Sequence, residues 1–279
     1  MKLRLYHHHD GARIAYRESG TGPPLALLHS KGLSHREWEP VVDELAHRYR
    51  VVLPDLPLHG DSEDRPHHPY TLEWTADVLG GFLHDVGGPR PLVGGHELGA
   101  MILLEAIHRG SLSPGKLVLM SAPLHRRPER TAGERALAVA ARAAVVPGVD
   151  RLLSHSARLV LRPKLADGLT ATGNRAARDL LRHALMGVSG NPNRVRGWGR
   201  AVRGFPHGEW SELLDRYADL TIPTLLLWAD SDPRHPLTIA EEALDLLPDA
   251  QLRVLPRTGF LLAYDDPVGV ARELAAFCG

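Results

Sequence analysis

Pro91-Leu-Val-Gly-Gly-His-Glu-Leu-Gly-Ala100 places one ionisable side chain, Glu97, where a short apolar run turns into a helical one. Gly95-His96-Glu97-Leu98-Gly99 has the outline small-x-nucleophile-x-small. In that motif flanking glycines let a strained strand-to-helix turn lift one side chain above a sheet. Serine usually stands at the lifted position. A carboxylate there can serve as a nucleophile or as a general acid or base. Partial desolvation in an apolar pocket raises a carboxyl pKa towards the operating pH, which suits proton transfer.

The elements that must position Glu97 follow from periodicity and breakers. Lys2–Tyr6 and Arg13–Glu18 read as strands joined at Asp10-Gly11, a hairpin signal. His7, His8 and His9 lie between them, and strand alternation sends them to opposite faces, which disfavours metal binding. Leu25–Leu28, Val51–Pro54, Leu92-Val93 and Leu117–Ser121 read as further strands. They alternate with helices over Glu37–Tyr49, Thr71–Val86 and Leu98–His108. Such alternation implies a mostly parallel sheet covered on both faces. From Leu124 it stops, and Ala- and Arg-rich helical patterns follow over Glu134–Val145, Asp150–Leu161 and Arg175–Met186. Pro147-Gly148, Pro163 and Gly190-Asn-Pro-Asn separate them. Pro223–Ala229 and Gln251–Leu255 resume the strands, and Val268–Phe277 closes as an amphipathic helix.

A chain of 279 residues fits one α/β core with an inserted lobe. Acidic and basic residues balance at 33 each, which argues against a general nucleic-acid binder. The balance hides an asymmetry: between Leu124 and Phe205, 15 arginines and Lys164 stand against five acidic residues, a formal +11. Either these are solvated helix faces, or the lobe attracts an anionic substrate or an acidic carrier. The lone Cys278 excludes an internal disulfide and fits a reducing compartment. No leader pattern and no apolar run of spanning length is visible, so the expected location is the cytoplasm, without membrane insertion.

Taken together, the motifs resemble the α/β-hydrolase family over nearly the whole chain. Leu-Leu-His29-Ser30-Lys31-Gly32 is similar to the His-Gly loop that builds half of the oxyanion hole. Asp55-Leu-Pro-Leu-His59-Gly60-Asp-Ser62 is similar to the Asp-x-Pro-Gly-His-Gly-x-Ser loop, with Leu58 for glycine. The elbow follows, then the helical segment, then Leu227-Trp228-Ala229-Asp230-Ser231-Asp232, in which Asp232 matches the acid of the triad. The resemblance implies an α/β-hydrolase fold with a core over residues 1–123 and 206–279 and a helical, Arg-rich cap over 124–205. The family's histidine slot falls on Phe260, which takes no proton, so two of the three triad positions lack the Ser-His-Asp chemistry.

The resemblance also bears on Glu97. Relatives that attack with an elbow Asp need histidine to release the product, and those opening epoxides use cap tyrosines. Residues 124–205 contain no tyrosine, and Leu98 stands where dehalogenases place tryptophan. The expected oxyanion donors are the backbone N–H groups of Leu98 and Lys31, with Ser30 and Phe260 beside the substrate. Glu97, longer than serine, can also fold its own carboxylate into that hole, which would lower its pKa and favour an inert site. His29 is a candidate replacement base, and Asp232 can pair with His235, with a cap arginine, or cap the next turn. His96 is expected to pack in the core, and His59 and Asp55 to hold their loop.

The reading is a cofactor-independent, metal-free enzyme on a small carbonyl-bearing molecule, with Glu97 as general acid or base in an elimination, isomerisation, cyclisation or other lyase-type step. The alternatives are a hydrolase using Glu97 as nucleophile or water-activating base on an ester or epoxide, and a non-catalytic ligand binder.

Overall fold

The computed structural model describes the chain except residues 66, 127–131, 145, 147, 161–168, 189–190 and 205–211. The sheet has eight strands: β1 (Lys2–His7), β2 (Arg13–Ser19), β3 (Pro24–Leu28), β4 (Arg50–Pro54), β5 (Leu92–His96), β6 (Lys116–Met120), β7 (Thr224–Ala229) and β8 (Ala250–Leu255). Their spatial order is β1-β2-β4-β3-β5-β6-β7-β8. β1 and β2 form the antiparallel hairpin, β2 joins β4 antiparallel, and all other pairs are parallel. The central strands are buried throughout because helices cover both faces, which explains their unbroken apolar runs such as Leu225-Leu-Leu-Trp228.

One face is covered by α2 (Leu72–Gly87), α3 (Leu98–His108) and α9 (Leu237–Leu246), whose Phe82, Ile102 and Ala240 meet Ile14, Val93 and Trp228 of the sheet. The other is covered by α1 (Glu39–Ala46) and α10 (Pro267–Cys278), through Val41, Leu45, Val270 and Leu274. Thr71 caps α2 by accepting from the Trp74 amide. Between β6 and β7 the described residues form α4 (Ala132–Ala143), α5 (Val149–Val160), α6 (Arg175–Val188), α7 (Pro192–Gly204) and α8 (Glu212–Tyr217). The expected break at Pro163 and the expected boundary between residues 205 and 206 lie outside the described residues.

Register decides what surrounds Glu97. β5 lies between β3 and β6, with Leu28 opposite Gly95 and His96 opposite Met120. The loops leaving β3 and β5 therefore emerge side by side at the carboxyl ends of the strands, where open α/β sheets collect their ligands.

Candidate functional site

Glu97 joins β5 to α3 with φ +47° and ψ −103°, a conformation that side chains other than glycine seldom adopt. The turn closes only because its flanks lack side chains. A Cβ on Gly95 would stand 2.4 Å from the Gly99 carbonyl carbon, and one on Gly99 would stand 2.5 Å from the Leu28 oxygen. The Glu97 amide donates to Met120 O at 3.2 Å, and its carbonyl accepts from the Met101 amide at 3.2 Å. Tight backbone on both sides thus holds a strained residue in place.

The half-buried Glu97 carboxylate does not stand over an open oxyanion hole. Its Oε2 accepts from the Leu98 amide at 2.7 Å and from the Lys31 amide at 2.8 Å. These are the two donors expected to serve a substrate oxyanion, and that expectation is corrected: Glu97 occupies them itself. The site lies at the N-terminus of α3, where exposed N–H groups and the helix dipole favour an anion. Oε1 has no hydrogen-bond partner among the described residues. The arrangement pins one carboxylate oxygen and so fixes the direction of the other.

The loop after β3 is braced from within. Ser30 is fully buried, and its amide and hydroxyl both donate to Glu37 Oε2, at 2.7 and 3.0 Å. Ser30 therefore faces the interior and not a substrate, contrary to its assignment from sequence. Lys31 contributes its backbone, while its side chain is exposed. His29 is also fully buried: Nδ1–H donates to Ser30 O at 2.8 Å, and Nε2 accepts from the Leu56 amide at 3.0 Å. Both nitrogens are committed to backbone and burial lowers the pKa, so no nitrogen remains to exchange a proton with substrate. This removes His29 from the candidate bases. His59 is held alike, donating to Pro57 O at 2.9 Å and accepting from the Gly32 amide at 3.0 Å. Asp55 ties the same loops by accepting from the His35 and Asp61 amides and from His35 Nδ1. Burial pushes its pKa up, but the His35 hydrogen bond and charge prevail and hold it down at about 2.

Phe260, expected from the resemblance at the family's histidine position, is a buried ring, 6% exposed. Its centroid lies 4.5 Å from that of His96 and 5.8 Å from that of His235, nearly parallel to the latter at 25°, and the Arg234 guanidinium lies 5.6 Å away. It packs with Leu33, Ala177, Leu180 and Tyr264. Asp265 secures this loop by accepting from the amides of Gly259 (2.8 Å), Ala171 (2.7 Å) and Thr172 (3.1 Å), which laces it to the segment before α6. Asp232, 4% exposed, accepts from His235 Nδ1 at 2.8 Å and from the Arg234 amide at 2.9 Å. Burial raises its pKa, but the hydrogen bond and charge of His235, the Arg234 amide and the His96 charge together outweigh it, and the net shift is downward. Asp232 therefore serves His235, with an aromatic ring between this pair and His96.

Sequence reasoning missed the partner of His96. His96 and Glu37 form a fully buried ion pair behind the elbow, His96 Nδ1 to Glu37 Oε1, with the His96 ring against Phe260. Two residues separated by 59 positions carry no local signal of pairing; the available clue was that a buried acid needs a partner.

A family description, "Alpha/beta hydrolase family", matches residues 25–273. The chain belongs to that family. An uncharacterized protein of Mycobacterium tuberculosis is 28% identical over 278 residues, covering 96% of this chain and 77% of that one. A pimeloyl-[acyl-carrier protein] methyl ester esterase of Vibrio vulnificus is 23% identical over 268 residues, covering 95% and 98%. Among solved structures, an alpha/beta hydrolase fold protein from Burkholderia ambifaria superposes with a TM-score of 0.80 at 22% identity, covering 99% of this chain and 98% of that one. At that identity the likeness speaks for the fold alone.

Proposed function

We propose that this α/β-hydrolase-family chain is an enzyme acting on a small carbonyl-bearing molecule, with Glu97 Oε1 as the group that takes and returns a proton. The chemistry is of lyase, isomerase or cyclase type and uses no acyl-enzyme or cofactor. In this reading residues 124–205 form the cap over a core of 1–123 and 206–279. The observation that carries it is the geometry of Glu97: strained backbone presents the carboxylate, two amides clamp Oε2, and Oε1 stays available. Backbone strain of about 1–3 kcal/mol persists only where the surroundings enforce it, and it concentrates at working sites. The same clamp preorganises a nucleophile, but Phe260 takes no proton and His29 and His59 have both ring nitrogens committed to backbone, so none of these three clears an ester from Glu97. Proton transfer has no such requirement.

A direct test follows solvent exchange of the α-protons of cyclohexanone in D₂O by proton NMR. Wild-type protein should accelerate exchange about 10²-fold or more over Glu97→Gln, the usual scale of general acid–base assistance. The glutamine oxygen still accepts from the two amides, so the thermal midpoint should move little. Equal exchange by the two proteins rejects the role, and a mass adduct on Glu97 after incubation with an ester or epoxide favours the nucleophile instead.

One observation favours a second reading, a protein that binds its ligand and returns it unchanged: Glu97 Oε2 itself occupies the Leu98 and Lys31 amides that would stabilise an oxyanion. In that case Glu97→Gln changes affinity and no exchange is seen.

The Vibrio relative is named for a carrier-bound ester, and the +11 segment fits an anionic or carrier-bound substrate. Some of those arginines are already engaged: Arg194 with Ser62 O and Asp64, Arg196 with Asp150, Arg200 with His68 O and Arg203 with Arg142 O. Exposed Arg142, Arg151 and Arg175 remain on the surface, and exposed Arg182 pairs with the likewise exposed Asp179. Binding of an acidic carrier protein should therefore weaken severalfold between about 0.05 and 0.3 M salt, by isothermal titration. Affinity that ignores salt would make these arginines ordinary surface.

A further inference from the structure

The crevice at the start of α3 lies under α7, walled by Leu58 and Leu98 among others, and its polar side chains are His59, Tyr70, Thr75 and Trp198. Three of them are committed. His59 uses both nitrogens on backbone, Tyr70 Oη donates to Arg65 O at 2.8 Å, and Thr75 Oγ1 donates to Thr71 O at 2.8 Å. The fourth is not: Trp198 Nε1–H is buried and has no acceptor among the described residues. Its ring stands edge-on to His59, with centroids 4.8 Å apart, so the indole is fixed by stacking and not by its polar edge. A buried donor without a partner is expensive, and a ligand that supplies the acceptor recovers that loss.

We infer that Trp198 is the specificity-determining donor of this site, recognising the oxygen of a small neutral ketone whose apolar body lies between α3 and α7. The inference rests on the proposed role of Glu97 in one respect: because Glu97 fills the Leu98 and Lys31 amides, a substrate oxygen must find its donor elsewhere. The part of the ligand inside the crevice is neutral, any anionic or carrier-bound portion staying outside, because the rest of the wall is apolar or already hydrogen-bonded and nothing there would pay for burying an ion. Entry requires Leu58 to move. A Cβ on Gly197 would stand 2.3 Å from Leu58 Cδ2, so α7 rests directly on that side chain.

The five tryptophans give resolvable indole signals in ¹⁵N-labelled protein, and Trp198→Phe assigns the one of interest. Titration with cyclohexanone should move the Trp198 indole signal downfield, in wild type and in Glu97→Gln alike. Trp198→Phe should weaken cyclohexanone binding by about five- to tenfold, the usual scale of one hydrogen bond. It should leave binding of methylenecyclohexane, which has the same shape and no acceptor, unchanged. Leu58→Ala, which widens the crevice, should tighten both. A stationary indole signal at the highest soluble cyclohexanone concentration, or equal losses for the two probes, overturns the inference. The wild-type titration decides the matter if Trp198→Phe does not fold. Because these readouts measure binding and are expected to survive Glu97→Gln, their failure is separable from failure of the proton-transfer assay.

Discussion

Glu97→Ser combined with Phe260→His should turn this chain into a working esterase on p-nitrophenyl acetate, with a rate at least about 100-fold above either single variant. The two substitutions are coupled by what each releases. Removing the glutamate frees the Leu98 and Lys31 amides, now both donating to Oε2, to meet a tetrahedral oxyanion. One such donor is worth about 10²–10³ in rate. Glu97→Ser alone supplies a nucleophile and an open hole but no base; Phe260→His alone supplies a base with nothing to activate. The acid is in position, since Asp232 lies in hydrogen-bond contact with His235, whose ring is nearly parallel to Phe260. His235 then competes with the new imidazole for Asp232, so adding His235→Asn should raise the rate again. Release of p-nitrophenol is read at 405 nm on the order of minutes, and an initial burst would report the acyl-enzyme. A double variant no faster than its parents would mean that the Phe260 loop, laced by Asp265 to Ala171 and Thr172, cannot present a side chain to the elbow.

The order of the sheet elements, the hairpin at Asp10-Gly11 and the elbow were legible because each rests on a local pattern: apolar runs of strand length, a turn dipeptide, glycines at fixed offsets. Other features were not. The helix over Pro192–Gly204 carries three glycines in its last eight residues, a composition that intrinsic propensity counts against it. It forms because its packed face, with Val195, Gly197 and Ala201 buried, settles on Leu58 and Tyr70. The sequence therefore hid the helix that bears Trp198. Leu237–Leu246 was likewise not assigned from sequence; it starts directly after Pro236, with no side-chain cap to mark its beginning. At the site, residue type named Glu97, Phe260 and Asp232, but not what each touches. That Glu97 would bond to Lys31, 66 positions away, was foreseen only as one of two outcomes, because chain length alone does not say where a flexible carboxylate comes to rest. Ser30 and His29 sit in a loop where one-residue phase decides between interior and pocket, and the amide bonds to Glu37 and Leu56 set that phase.

The largest stability effect should come from the ion pair behind the elbow. Glu37→Gln should lower stability by about 3–5 kcal/mol, the usual consequence of leaving one member of a buried pair uncompensated. For a chain of this length that corresponds to roughly 10 °C in thermal midpoint, measurable by calorimetry. Glutamine still accepts from Ser30, so the loss isolates the bond to His96 more cleanly than alanine would. The pH dependence has a definite sign on each side. Burial pushes the His96 pKa down, but the Glu37 carboxylate more than reverses this and raises it above 6.5. Its contribution is therefore complete below 6.5 and fades as pH rises through the folded value. Burial pushes Glu37 up, but the His96 charge and hydrogen bond, with the Ser30 amide, prevail and hold it below 4.5. Its contribution is complete above 4.5 and fades as pH falls through the folded value. The gap in midpoint between wild type and Glu37→Gln should thus be widest between about pH 4.5 and 6.5 and narrow on either side. A gap that stays constant across pH 3 to 9 would show that Glu37 acts only by shape. Because the imidazolium so held lies directly behind Glu97 and against Phe260, the same variant should also disturb the elbow: its cyclohexanone exchange rate should fall along with its stability, while a surface-destabilised control of equal midpoint keeps its rate.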